Sequence, residues 1–330
     1  MGGSDLLQEG NFFSNNGYLT TVADVYFARQ PYSINVYRTE GRLFRLLQVC
    51  GRPIISPPFA DFFQPIGSEP NTDVQDLRYL PKVALKTKRA EGKQWPTSAG
   101  RQPSPFIDWS LFADWGAFED VVKARIGNLF PDSRRRRRKA ERDLGPLRFI
   151  FDDPNEQAFE TCMSWKSAQW RTTGSLDPFA IEPRHKQLFR QLKRRGLLAV
   201  STLSAGETLL SVHMGALADN RLYWLMPAYD PDLARYSPGR LLLKDLLAES
   251  FARQHAEFDF LIGDEDYKWH YATHTREIEP LGKPSLALFL RYGARMHVRD
   301  LLGCYPRLLR AARAVHRHTS KVRNALAARR

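Results

Sequence analysis

Five residues that could carry acid–base chemistry stand together at the end of an apolar run. In FDFLIGDEDYKWHYA, residues 258–272, the run ends at Gly263 and is followed at once by Asp264, Glu265, Asp266, Tyr267 and Lys268. A carboxylate can take a proton from an attacking group, and a tyrosine can give one to a leaving group. The alternative is structural: Asp264 and Asp266 cap a helix, Tyr267 packs, and Lys268 stays in solvent.

A histidine lies in a second apolar stretch, LLSVHMGAL, residues 209–217. The near-neutral pKa of an imidazole suits a general base, so His213 is the first candidate for that role, with Glu265 or Asp264 as runner-up. A buried histidine that only packs in the core is the alternative interpretation.

A possible phosphate site follows in RYSPGRLLLKDLL, residues 235–247, where Arg235, Ser237, Gly239 and Arg240 surround the start of a leucine-rich helix. Unpaired N–H groups and the helix dipole favour anions at such a terminus, as for the pyrophosphate of a nucleotide-like ligand. An ordinary loop with a helix cap is the alternative.

The elements that must position these residues are clearest in the second half. Helical spacing ends at Gly174 in EQAFETCMSWKSAQWRTTG and near Gly196 in PRHKQLFRQLKRRG. Three β-rich runs then predict an antiparallel meander, with turns at Ala205-Gly206 and Asp219-Asn220. A loop, a helix, the buried strand FDFLIG, a further helix and a last strand complete the order.

The first half is harder to interpret. Two β-rich runs flank Glu40-Gly41 and predict a hairpin, and the apolar spacing from Phe112 to Ile126 predicts an amphipathic helix. The arginine run RRRRRKAER begins at Arg134 and favours an exposed helix between two halves of the chain. We place the division between the halves near Gly145.

In this order, the motifs of the second half resemble the GNAT acyltransferase superfamily, in particular its FemAB-related branch of cellulose-biosynthesis (CelD-type) acetyltransferases. The resemblance covers roughly residues 145 to 285 and is carried by WKSAQWRTTG (165–174), SVHMGAL (211–217), YWLMPAYDPDLARYSPGRLLLKDLL (223–247) and FDFLIGDEDYK (258–268). It implies a tandem GNAT-like α/β fold with a mixed, largely antiparallel sheet flanked by helices. The expected units are an N-terminal half (1–144), a catalytic domain (145–290) and a basic helical tail (291–330).

The resemblance also implies roles for individual residues. Tyr267 takes the place of the acid that protonates the leaving thiolate, while His213, in the middle of the meander, would face the acyl group as base. Acetyl-coenzyme A is the expected donor, held by Arg235, Ser237, Gly239, Arg240, Leu225 and Met226, with no metal. The acceptor is expected to be an amine or hydroxyl of a sugar or polysaccharide precursor, bound by Lys166, Gln169, Arg171 and Lys268, in cellulose or exopolysaccharide synthesis.

Composition sets limits on partners and location. The 330 residues carry a net charge of +13, and much of the excess lies in the tail from Arg291 onward, where apolar positions recur at helical spacing. Such a helix can lie on an anionic membrane or pack on its own body. We find no motif for specific nucleic-acid binding, no metal spacing among Cys50, Cys162 and Cys304, and no signal peptide. A cytoplasmic protein, with peripheral contact to the inner face of the membrane, is the expectation.

Two other functions stay open. The basic charge and the single glycine in the phosphate loop favour a FemAB-type transferase that takes aminoacyl-tRNA as donor and extends peptidoglycan precursors. A non-catalytic adaptor of a polysaccharide synthase, docked on the membrane through residues 291–330, is the other. A cleft that reaches Tyr267, and an opening between the strands at 223–225 and 258–261, would favour a coenzyme A enzyme over an adaptor.

Overall fold

The computed structural model describes residues 10–67, 73–90 and 101–286. The basic helical tail predicted for residues 291–330 lies outside the described residues. Within the described ranges, no helix is both long enough and apolar enough to cross a membrane.

A four-stranded sheet comes entirely from the first half of the chain. Its elements are a 3-10 turn (Phe12–Ser14), α1 (Asn16–Tyr26), β1 (Tyr32–Thr39), β2 (Arg42–Val49), β3 (Arg52–Pro53) and β4 (Val74–Asp76), with strand order β3-β2-β1-β4. The predicted hairpin is confirmed, since β1 pairs with β2 in antiparallel register. Glu40 (φ 46°) and Gly41 (φ 76°) both have positive φ, as a tight two-residue turn requires.

An eight-stranded sheet joins strands from both halves. Its members are β5 (Tyr79–Arg89), β6 (Gln102–Asp108), β7 (Leu147–Ile150), β8 (Leu198–Ala205), β9 (Thr208–Ala218), β10 (Arg221–Tyr229), β11 (Glu257–Asp259) and β12 (His274–Gly282). They follow the order β5-β12-β6-β11-β10-β9-β8-β7, and among the described residues of this sheet only β10 and β11 pair in parallel. The predicted mixed, largely antiparallel sheet flanked by helices is confirmed. The predicted division near Gly145 stays a prediction.

Most of the remaining helices occur where the sequence predicted them, but the short helix Pro178–Ile181 was not predicted. They are α2 (Trp115–Arg125), α3 (Leu129–Leu144), α4 (Glu156–Thr173), α5 (Pro178–Ile181), α6 (Arg184–Arg194), α7 (Pro238–Ala252) and α8 (Asp266–Tyr271), with 3-10 turns at Trp109–Leu111 and Pro231–Tyr236. Gly174 ends α4 in the left-handed conformation, φ 73°, which only glycine adopts at little cost. The predicted order of the second half, including the meander β8-β9-β10, is confirmed.

The eight-stranded sheet separates two apolar clusters. Helix α4 covers one face through Phe159, Cys162 and Met163, and the leucines of α7 cover the other. Alternation along a strand would put Tyr223 and Met226 on opposite faces. Both lie on the α4 face, because a bulge interrupts the pairing of β9 and β10 between these two residues.

The parallel pair β10–β11 is short and then opens. Pairing ends at Tyr223 opposite Asp259, while β10 continues to Tyr229. The buried strand predicted over FDFLIG is therefore only three residues long. Asp259 stops it: its carboxylate accepts a hydrogen bond from the Leu261 N–H at 2.7 Å, and Leu261 turns to φ 60°. The chain leaves β10 and leads into α8.

The paired end of these strands is filled by buried charges. The guanidinium of Arg276 bonds Asp259 at 2.8 Å and also pairs with Glu257, while Arg221 lies 3.4 Å from Glu257. Arg276 is 3% exposed and stacks 3.8 Å from the ring centroid of Phe106. Burial raises the pKa of Asp259 to about 6, although the charge of Arg276 opposes this shift.

The arginine run forms part of α3 and packs against α7 and the turn before it. Arg137 bonds Asp245 of α7 at 2.6 Å, and Arg136 donates to the backbone carbonyl of Arg235 at 3.2 Å. Asp132, in the first turn of α3, binds Arg240 of α7. A helix predicted from its charge to be an exposed connection therefore also holds the start of α7 in place.

Candidate functional site

A cavity of about 540 Å³ lies where β10 leaves β11. Residues of α3, α4, β10, α7 and α8, with Glu265 just before α8, form its wall: Leu129, Lys166, Gln169, Trp224, Pro227, Tyr229, Gly239, Arg240, Leu243, Glu265, Tyr267, His270 and Tyr271. It is called the donor cavity below, after the acyl-donor site predicted from the sequence. Six residues that the sequence nominated from three separate segments meet here, namely Lys166, Gln169, Gly239, Arg240, Glu265 and Tyr267.

Tyr267 has the clearest chemical geometry in the donor cavity. Its hydroxyl oxygen accepts a hydrogen bond from the indole N–H of Trp224 at 3.0 Å. Because that oxygen is the acceptor, the phenolic proton remains available to a group in the cavity. Burial raises the pKa of Tyr267 to about 12, so the phenol is protonated at neutral pH and can act as a proton donor.

Glu265 lies one residue before α8 and lines the same cavity. Its side chain is 56% exposed and pairs with the ammonium of Lys268 at 2.9 Å. Gly263 makes this pair possible: a Cβ there would come within 2.1 Å of a Glu265 carboxylate oxygen, and its φ of 145° suits glycine alone. The carboxylate is therefore positioned beside Tyr267 with access to solvent.

Lys268, predicted to bind substrate, points into the protein. It is 4% exposed, and its ammonium donates to the carbonyl of Ile262 at 3.0 Å besides pairing with Glu265. It does not line the donor cavity. Asp264, a predicted alternative base, is exposed and likewise lies outside the wall of the cavity.

His213 is in the core of the sheet. It is fully buried, its ring stacks on Trp224 with centroids 4.3 Å apart, and neither ring nitrogen has a hydrogen-bond partner among the described residues. Burial lowers the pKa of His213 to about 3, with a smaller contribution from the charge of Lys166. Gly215 leaves room for the imidazole, since a Cβ there would lie 2.7 Å from His213 Cε1. The ring does not line the donor cavity, and its role as base stays a prediction.

The predicted phosphate loop leads directly to the donor cavity. Ser237 adopts a left-handed conformation (φ 54°), and its backbone carbonyl, not its side chain, accepts from the N–H groups of Arg240 and Leu241. Gly239 and Arg240 line the cavity, whereas the Arg235 guanidinium lies over the Tyr236 ring, 4.7 Å from its centroid. The first turn of α7 therefore faces the cavity, as an anion site requires.

Some of the remaining predicted contact residues line the cavity, and the others lie outside its wall. Lys166 donates to Gln169 at 3.1 Å and to the Pro227 carbonyl at 3.2 Å, and burial lowers the pKa of Lys166. Arg171 lies outside the cavity wall and pairs with Asp177 at 3.4 Å. Leu225 and Met226, predicted to contact the donor, pack in the apolar cluster under α4 instead of lining the cavity.

His270 was not among the predicted site residues, yet it lines the donor cavity. It follows Tyr267 by three positions on α8, so both side chains lie on one face of the helix. That spacing in DEDYKWH was a usable signal. Burial lowers the pKa of His270, and the charge of Arg240 adds to this shift while Asp266 opposes it.

Comparison with a family model agrees with this geometry. Residues 131–269 match the model of the acetyltransferase (GNAT) domain, and this range contains every cavity residue except Leu129, His270 and Tyr271. The match begins within α3, ahead of Gly145. No curated protein matches the chain.

Several solved structures are similar to the chain at low sequence identity. FemX shares 8% identity, with 82% of this chain and 93% of that chain covered and a TM-score of 0.49. L-PGS from Bacillus licheniformis shares 11%, covering 85% and 90%, with a TM-score of 0.46. The C-terminal domain (DUF2156) of a putative lysylphosphatidylglycerol synthetase from Agrobacterium fabrum shares 10%, covering 84% and 95%, with a TM-score of 0.43.

The sequence motifs, the opening between β10 and β11 and the cavity that reaches Tyr267 agree with the family match. The cavity is also the feature expected of an enzyme and not of an adaptor. Residues 131–269 match a GNAT acetyltransferase-type domain, and the activity that this domain supports is acyl transfer.

Proposed function

We propose that the donor cavity binds an acyl-coenzyme A, acetyl-coenzyme A in the first instance, and that the protein transfers its acyl group to an amine or hydroxyl of a sugar or polysaccharide precursor. One observation carries the proposal: the first turn of α7 and the hydroxyl of Tyr267 face the same cavity, at the point where β10 and β11 separate. An anion site and a proton donor are the two groups that transfer from a phosphorylated thioester needs.

The residues of α7 fit a phosphorylated donor. Gly239 has no tight contact that a larger residue would disturb, since a Cβ there would meet only the Tyr229 ring at 3.6 Å. The Arg240 Nε is buried without a hydrogen-bond partner among the described residues. An unpaired cationic N–H beside a helix N-terminus suits the oxygens of a pyrophosphate.

The chemistry needs one base and one acid. A bound thioester supplies an acyl group that is already activated. Glu265 takes the proton from the attacking amine or hydroxyl, and Tyr267 gives its phenolic proton to the departing sulfur. We assign the base to Glu265 in preference to His213, because Glu265 lines the cavity and is half exposed whereas His213 is fully buried.

Polar groups on the α4 side of the cavity support a hydroxylated acceptor. Lys166 already donates to Gln169 there; its ammonium can donate to sugar hydroxyls, and the Gln169 amide can donate to them or accept from them. Within saccharide chemistry, cellulose or exopolysaccharide precursors are the proposed class.

Calorimetric titration with acetyl-coenzyme A and coenzyme A tests the proposal, using wild type, Gly239→Glu and Ala252→Glu. The first variant places a negative charge at the start of α7, and the second places the same charge on the exposed last residue of that helix. We expect micromolar binding by wild type and Ala252→Glu, and loss of binding in Gly239→Glu with unchanged circular dichroism. Absence of binding by wild type would overturn the proposal and favour an aminoacyl-tRNA donor.

A further inference from the structure

A second cavity continues from the donor cavity toward α3. It has a volume of about 610 Å³ and is lined by Ile126, Asn128, Leu129, Pro131, Asp132, Arg135, Arg138, Arg240 and His270. The two cavities share Leu129, Arg240 and His270, so they form one groove that runs from Tyr267 past the first turn of α7 to the arginine helix.

The second cavity is electropositive. Three arginines line it, Arg135, Arg138 and Arg240, against the single carboxylate of Asp132. That carboxylate is already bonded by Arg135, Arg136 and Arg240, which hold the pKa of Asp132 far below its usual range. Its negative charge is therefore neutralised by these arginines, and the cavity retains an excess of positive charge.

Arg138 differs from its neighbours in the run. Arg135 and Arg136 bond Asp132, Arg137 bonds Asp245, and Arg142 bonds Asp143. Arg138 is exposed and lines the cavity, and within residues 10–67, 73–90 and 101–286 no hydrogen bond, ion pair or ring contact engages its side chain. Arg134 is equally exposed on the same helix but does not line the cavity.

We propose that the second cavity binds a phosphate monoester on the nucleotide part of the acyl donor, with Arg138 as its main contact. A guanidinium can donate two parallel hydrogen bonds to a phosphate, and a guanidinium with no internal partner gives up no existing bond in doing so. The inference rests on the proposed function, because it concerns the far end of the same donor. Through Arg138, the arginine run would help to select the donor. This role is separate from the packing of α3 against α7.

Coenzyme A and 3′-dephospho-coenzyme A test this site, because they differ only by one phosphate monoester. Both would be titrated into wild type, Arg138→Gln and Arg134→Gln. The two variants make the same change in net charge on one helix, so a difference between them cannot come from long-range electrostatics. Neither side chain has a partner to lose, and we expect both variants to melt at the wild-type temperature.

Wild type and Arg134→Gln should bind coenzyme A about fivefold to tenfold more tightly than the dephospho form, and Arg138→Gln should bind the two equally. Equal affinities in wild type would overturn the phosphate site while leaving coenzyme A binding intact. A preference that survives in Arg138→Gln would also overturn it. If wild type binds neither compound, the proposed donor is wrong, and the proposal of a phosphate site is then wrong as well.

Discussion

The two ends of the β10–β11 region use polar groups in opposite ways. At the paired end, Arg276 and Arg221 meet Glu257 and Asp259 in a buried network. At the open end, beyond the last paired residues, Tyr267 and Glu265 face a cavity. The same strands thus provide a fixed network where they are hydrogen-bonded and the proposed reactive site where they separate. The buried charges at the paired end stabilise the fold, and the groups that can still bond a ligand are those proposed for catalysis.

Removal of Arg276 should have the largest effect, because it would leave the buried carboxylate of Asp259 and the partly buried carboxylate of Glu257 with Arg221 as their remaining cation. We expect Arg276→Ala to lower the free energy of unfolding by about 3–5 kcal/mol, measured by urea denaturation. Arg101→Ala is the control, since Arg101 pairs with Glu279 and is 40% exposed, and it should cost at most about 1 kcal/mol. Equal losses of unfolding free energy in the two variants would show that the buried network stabilises the protein no more than an exposed ion pair does.

At the open end, Tyr267→Phe should lower kcat about 100-fold with little change in KM or stability, because it removes the proton donor and leaves the ring in place. Tyr229→Phe is the matched control: Tyr229 lines the same cavity, and its variant should keep near wild-type kcat. Steady-state kinetics would decide. A kcat for Tyr267→Phe within threefold of wild type would remove the tyrosine from the mechanism.

His213 of β9 pairs with Pro227, in the part of β10 that extends beyond β11. We expect it to affect stability and not catalysis. The unfolded chain takes up a proton on this histidine below pH 6.5, whereas the folded protein does so only near pH 3. Stability is therefore lost as the pH falls through this window, by about 2 kcal/mol at pH 5.

His213→Phe, which can keep the stacking on Trp224, should lose less stability than wild type between pH 7 and pH 5, as measured by urea denaturation at both values. Identical losses would contradict the buried neutral state. Abolished activity in a folded His213→Phe protein would instead restore His213 as the general base.

Trp224→Phe should have the smallest effect. The indole N–H stabilises the tyrosinate form of Tyr267, so its removal should raise the pKa of Tyr267 further and lower kcat about fivefold. NMR titration of ring-labelled tyrosine would follow that pKa directly. An unchanged pKa would show that the indole N–H does not stabilise the tyrosinate. Any loss of activity would then come from altered packing around residue 224.

Local patterns were sufficient to predict most elements of the second half. The meander follows from β-rich runs with short turns, and α4 ends at Gly174 because the left-handed conformation there needs glycine. The lengths of strands were harder to predict. Nothing in FDFLIG indicates that the Asp259 side chain bonds the Leu261 N–H and ends β11 after three residues.

The sequence by itself determined most elements of the second half, the family resemblance and the cluster of Glu265 and Tyr267 at the start of one helix. Only the tertiary structure decided which polar side chains face the cavity. Periodicity tells which face of an element a residue occupies, but not what packs against that face. Lys268 and His213 are buried by neighbouring elements, while His270 and Arg138 are left open because α3 and α8 border one groove.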